Sequence, residues 1–72
     1  MKATIKWKRF EYIPNMGKYG HKVHSKTIVV EKNEPNHIVN KARDSKILTR
    51  DDYILTIKCG RYEYQWFGYP NY

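Results

Sequence analysis

Apolar and charged positions alternate along the first dozen residues. Ile5 and Trp7 are interleaved with Lys6 and Lys8, the two-residue period of a strand with one buried face, and Lys2 to Ile13 is predicted as strand. Phe10 and Tyr12 fall on the side of Lys6 and Lys8, so a bulge near Lys8–Arg9 is expected to re-phase the two halves. The stretch Pro14-Asn15-Met16-Gly17-Lys18-Tyr19-Gly20-His21-Lys22 has no period, and Gly17 and Gly20 tolerate positive φ. It reads as an exposed loop. Val23 to Glu31, with β-branched residues concentrated in Thr27-Ile28-Val29-Val30, reads as a second strand, antiparallel to the first across a long basic tip.

A three- to four-residue period follows. Asn33 or Glu34 can cap a helix, Pro35 suits its first turn, and Ile38, Val39 and Ala42 form a narrow apolar stripe. The predicted helix spans 36–44, with Asn40, Lys41, Arg43 and Asp44 facing water. Ser45 to Asp52 is a connection in which Ile47 and Leu48 plug the edge of the core. Tyr53 to Lys58 and Tyr62 to Phe67 are β-rich runs joined by a tight turn at Gly60. Tyr53, Leu55 and Ile57 share a face by alternation, as do Tyr62, Tyr64 and Trp66. The second ladder is read as core in preference to a base-stacking platform. Gly68 to Tyr72 is expected to be irregular, with Tyr69 and Tyr72 left for a partner surface or a tail. The order ββαββ predicts an α+β fold: one domain, 1–72, with a small antiparallel sheet from two hairpins and one short helix on one face. A small barrel is the alternative.

Composition narrows the classes. Among 72 residues, Ile, Leu, Val and Phe are sparse enough that the two Trp and seven Tyr must help fill the core. No apolar run approaches the length of a membrane span and no signal peptide is visible, so no membrane partner is expected and the cytoplasm is the expected location. The single cysteine, Cys59, excludes an internal disulfide framework and a multi-cysteine zinc site.

Charge is more informative than apolar content. Lys and Arg number 14 against 7 Asp and Glu, a net charge of +7. Residues 1–26 carry Lys2, Lys6, Lys8, Arg9, Lys18, Lys22 and Lys26 against Glu11 alone, which leaves the remainder nearly neutral. Trp7, Phe10, Tyr12 and Tyr19 lie among these cations, with Trp7 expected in the core. Lysines that follow phosphates beside aromatics that stack on unpaired bases are the chemistry of single-strand recognition. The candidate nucleic-acid-binding residues are Lys6, Lys8, Arg9, Phe10, Tyr12, Lys18, Tyr19, Lys22 and Lys26.

Catalytic and metal chemistry finds less support. His21, His24, His37 and Cys59 have no metal-ligand spacing, and Asp51-Asp52 is explained by a turn or cap. His21, His24, Lys22 and Arg9 could supply nucleolytic groups, but their spacing is not diagnostic. Cys59 has no histidine partner, and no phosphate-binding glycine loop is present. No enzyme activity, metal or cofactor is expected.

Gly60-Arg61-Tyr62-Glu63-Tyr64-Gln65-Trp66-Phe67 resembles the aromatic strand of the RNA-recognition motif, but that family's Gly-aromatic-Gly/Ala core and second helix are missing, and its residues are not carried over. The whole chain, basic and rich in Lys, Asn and Tyr from Met1-Lys2-Ala3-Thr4-Ile5-Lys6 onward, is similar in style to the small accessory proteins of large tailed phages. That resemblance implies binding to a host enzyme or nucleic acid and block of a host activity, defence included. The expected partner is RNA or single-stranded nucleic acid. A protein-binding inhibitor or adaptor that docks its basic hairpin on an acidic or nucleic-acid-binding host protein is the alternative. A homo-oligomer paired through sheet edges is a third reading.

Overall fold

The computed structural model describes residues 1–70. The chain forms β1 (Lys2–Ile13), β2 (Lys18–Val29), α1 (Pro35–Asp44), β3 (Tyr53–Cys59) and β4 (Tyr62–Gly68). The strands make one antiparallel sheet in the order β2-β1-β3-β4, with the helix on one face. This is the α+β arrangement expected from ββαββ, and not a barrel. The expectation for Tyr72 lies outside the described residues.

Ala3, Ile5 and Trp7 of β1, Ile54, Ile57 and Cys59 of β3, and Ile38, Val39 and Ala42 of α1 close the core together with Val30 and Leu48. Tyr64, Trp66, Ile28 and Ile47 pack around it half-buried. Each buried aliphatic side chain contributes roughly 1.5–3 kcal/mol of transfer free energy, which is why so few suffice for so small a body. Tyr62, expected on the same ladder as Tyr64 and Trp66, is exposed at the rim.

The helix ends in a Schellman arrangement. The Lys46 amide donates to the Arg43 carbonyl and the Ile47 amide to the Ala42 carbonyl, while Lys46 takes the left-handed conformation at φ 62°. The turn drives Ile47 and Leu48 back onto the core, as their apolar character predicted. At the other end, exposed Glu31 accepts hydrogen bonds from Lys41 and His37, each at 2.9 Å, tying the β2–α1 link to the helix. Those donors, Lys41 first, pull the Glu31 carboxyl down to about 2.

Two sequence expectations are corrected. The first is the bulge. β1 and β2 pair without a shift from Lys2↔Val29 to Ile13↔Lys18, so β1 has no bulge at Lys8–Arg9. The irregularity lies in the other hairpin: Leu55 has no partner on β1, and on β4 it faces both Trp66 and Phe67, the latter at φ 47°. The inward set on β3 is therefore Ile54, Ile57 and Cys59, not Tyr53, Leu55 and Ile57. The second correction is the loop. Only Pro14–Gly17 form the turn, closed by the Ile13 carbonyl accepting from the Met16 and Gly17 amides, and the strand resumes at Lys18. Gly17 sits at φ 66°, where a side chain would be strained.

β3 accompanies β1 only as far as Lys8↔Tyr53. Beyond that point Arg9–Ile13 and Lys18–Lys22 continue as a two-stranded ribbon past the end of the body, within overall dimensions of 40 × 25 × 19 Å.

Candidate nucleic-acid interface

Strict alternation on β1 sorts its side chains. The odd-numbered residues face the helix layer, and Lys2, Thr4, Lys6, Lys8, Phe10 and Tyr12 face away from it. Cross-strand partners share a face, so Thr27, Ser25, Val23, His21 and Tyr19 of β2, together with Tyr53, Thr56 and Lys58 of β3, complete an uncovered surface.

At the ribbon end this surface is aromatic. Phe10, Tyr12 and Tyr19 are 62%, 52% and 64% exposed. Phe10 stacks on Tyr19 with centroids 5.8 Å apart, meets His21 edge-on at 5.3 Å, and Tyr12 meets Tyr19 edge-on at 5.4 Å. Toward the body the surface becomes cationic. Lys8 Nζ lies 5.4 Å from the centroid of the Tyr53 ring, which Tyr69 meets edge-on. Lys6 follows between Ser25 and Thr56, and Lys2 and Lys58 lie further along, with Glu63 the acid paired beside Lys58.

Of the nine residues expected to bind nucleic acid, the structure gathers five here: Lys6, Lys8, Phe10, Tyr12 and Tyr19. Lys18, Lys22 and Lys26 pair with Ile13, Arg9 and Ile5 and so project from the opposite side of β2. One cluster has become two.

Arg9 is corrected outright. Its guanidinium donates from Nε and Nη2 to the two carboxylate oxygens of Asp52 at 2.8 and 2.7 Å, and from Nη2 to the Ile47 carbonyl at 3.1 Å. Asp52 is fully buried and also accepts from the Thr49 amide at 2.9 Å. Burial works against the carboxylate's charge, yet the hydrogen bonds from Arg9 and Thr49 outweigh it and hold Asp52 below the ordinary carboxylate range. Arg9 is raised in turn, chiefly by its hydrogen bond to Asp52. A guanidinium engaged in this way is structural, and it clamps the root of the ribbon to the α1–β3 connection.

Trp7 lies beside this clamp, 4% exposed, as expected for core. Its ring stacks on His24 at 5.7 Å and has the Arg9 guanidinium over it at 5.9 Å, and its Nε1 is buried without a hydrogen-bond partner. His24 Nε2 lies 3.1 Å from Glu11 Oε1. His21 and His24 therefore occupy opposite faces, and among the described residues no group of three or more His, Cys, Asp or Glu gathers at metal-binding distance.

Lys2, His21, Tyr53 and Lys58 join the surface although sequence reasoning left them out. For Lys2 the signal was present: an unbroken period from Lys2 to Tyr12 puts it on the face of Phe10, whereas His21 arrives there through its pairing with Phe10. No protein-family model, no curated protein and no solved structure matches this chain. Among the described residues no helix is long and apolar enough to cross a membrane.

Proposed function

We propose that the chain is a small, non-enzymatic, cytoplasmic protein that binds RNA or another single-stranded nucleic acid across the uncovered face of the sheet. One observation carries this reading: Phe10, Tyr12, Tyr19 and His21 form an exposed ring cluster that runs into Lys8, Lys6 and Lys2 on the same face. Rings take unpaired bases and lysines take the phosphates. Duplex major-groove reading has less support, since α1 packs on the core and no basic helix is presented.

Titration of single-stranded RNA at rising salt tests the proposal. Affinity should fall with a log–log slope of roughly 0.7 for each phosphate contacted. Replacing Lys6 and Lys8 by Gln should flatten that slope, whereas the same change at Lys18 and Lys22 should leave it. Affinity indifferent to salt sinks the reading.

The second reading is a protein-binding inhibitor or adaptor, and the lysines on the far side of β2 favour it, since a base-stacking ligand on the open face does not reach them. The resemblance to phage accessory proteins fits either reading, with a host enzyme or its nucleic acid as the target. A partner retained in a pull-down after nuclease treatment favours the protein.

A further inference from the structure

The sheet has two outer strands, and they are not alike. β4 is seven residues long and is broken by the register shift at Trp66–Phe67, a device that turns an edge away from partners. β2 is twelve residues long, has no shift and no proline, and nothing lies on its outer side in the strand order. Every backbone group on that side is free to pair with another strand.

The side chains say which strand. Lys18, Lys22 and Lys26 recur at every fourth residue on one face of β2, spaced about 13 Å apart for a strand rise of about 3.3 Å per residue. They are exposed, and the residues between them on that face are Gly20 and His24. The opposite face of the same edge presents Tyr19, His21, Val23, Ser25, Thr27 and Val29, a surface suited to β-branched and aromatic neighbours. A second copy pairing there would bring lysine rows together, so the row disfavours self-association.

We propose that the outer edge of β2 is a docking site for an extended segment of an acidic protein partner, added to the sheet as a fifth strand. Main-chain hydrogen bonds would supply affinity, and acidic residues at every fourth position, facing Lys18, Lys22 and Lys26, would supply register. The alternate positions of the segment would carry Val, Thr or aromatic residues. This rests on the protein-binding reading and gives that reading its chemistry. It uses the outer backbone edge and the lysine row, and it adjoins the ring cluster at Tyr19 and His21.

The test uses the full chain and two synthetic peptides of one composition. The first has glutamates at every fourth position with valine and threonine alternating between them. In the second the glutamates stand at every third position, so that successive ones fall on opposite faces. The first should bind at least tenfold more tightly, and amide exchange should slow along β2 when it binds. The paired change K22E and K26E should cost a further tenfold or more, and a lysine-for-glutamate version of the first peptide should recover binding to that variant.

Equal binding of both peptides without slowed exchange overturns strand addition while leaving charge-driven protein docking standing. No binding by either overturns both. Loss of single-stranded RNA binding in the K22E and K26E variant, with the first peptide bound no better than the second by the parent, assigns the row to nucleic acid and overturns the proposal.

Discussion

From Lys2 to Lys8, β1 has β2 on one side, β3 on the other and the helix layer against its odd-numbered residues; from Arg9 to Ile13 it pairs with β2 and not with β3, and Arg9 at the root is clamped to Asp52 and Ile47. The first half buries Ala3, Ile5 and Trp7. The second half buries no side chain and leaves Phe10 and Tyr12 in solvent beside Tyr19. A chain short of aliphatic residues has reason to place every ring in or against its core, and here Trp7 is buried and Tyr64 and Trp66 pack against the core, while Phe10, Tyr12, Tyr19 and His21 of the ribbon meet one another. Folding thus accounts for Trp7, Tyr64 and Trp66, and not for the clustered rings of the ribbon or for exposed Tyr62, Phe67 and Tyr69 in the body. An exposed ring cluster of this kind is the feature on which the proposed binding function rests.

The two halves of β1 are joined to the body most strongly at Arg9. R9A leaves Asp52 buried without its partner and should cost roughly 3 kcal/mol, a large share of the stability of so small a domain. K8A, one residue away on the open face, should stay within about 0.5 kcal/mol. Urea midpoints measure both, and equal midpoints would mean that the two halves are not differently held. The same clamp sets an acid limit. Because the folded carboxyl of Asp52 lies below its unfolded value, its stabilisation is complete above about pH 4 and is lost as pH falls through the folded pKa. Arg9 is charged throughout that range. Thermal melts from pH 5 downward should therefore fall more steeply for the parent than for D52N, which is less stable at neutral pH but lacks that titration.

Next in size are the rings. F10A and Y19A should each weaken single-stranded RNA binding about tenfold, the order of one lost stacking contact, with melting temperatures nearly unchanged. W66A should do the reverse, lowering stability by about 2–3 kcal/mol while the folded fraction binds as before. Ring losses that behave alike in ribbon and body erase the distinction. The smallest effect is K46G. Glycine relieves the left-handed strain at the helix end and should raise stability by about 0.5–1 kcal/mol, read in the same urea titration, without altering affinity.

Much of this architecture is legible in the chain because local period decides it. Ile38, Val39 and Ala42 face the core as their spacing requires, and Cys59-Gly60-Arg61 turns as a hairpin should. What is not legible depends on distant partners. Arg9 looks like one more cation in a basic hairpin, and only a fold that brings Asp52 beneath it, 43 residues away, makes it a clamp. Lys18, Lys22 and Lys26 join the cluster by sequence proximity, but pairing with Ile13, Arg9 and Ile5 sends them to the other side. The bulge is misplaced for a related reason. Phe10 and Tyr12 look as though they ought to be buried, and treating them so breaks a period that in fact continues. The deviation belongs to β3, where Ile54 and Ile57 stand three apart and both must face inward.

The unshifted register between β1 and β2 makes ribbon length an independent variable of the design. β3 does not pair with β1 beyond Lys8↔Tyr53, so matched insertions of two residues in each strand near the turn would add a rung to both faces and leave the β1–β3 register as it is. A matched insertion of one residue would carry the outermost side chains to the opposite face. Reach could thus be lengthened in paired steps across related sequences without any change to the core, and odd steps would be selected against. Under the proposed function, the number of rungs, more than the identity of any one residue, would then track the size of the ligand.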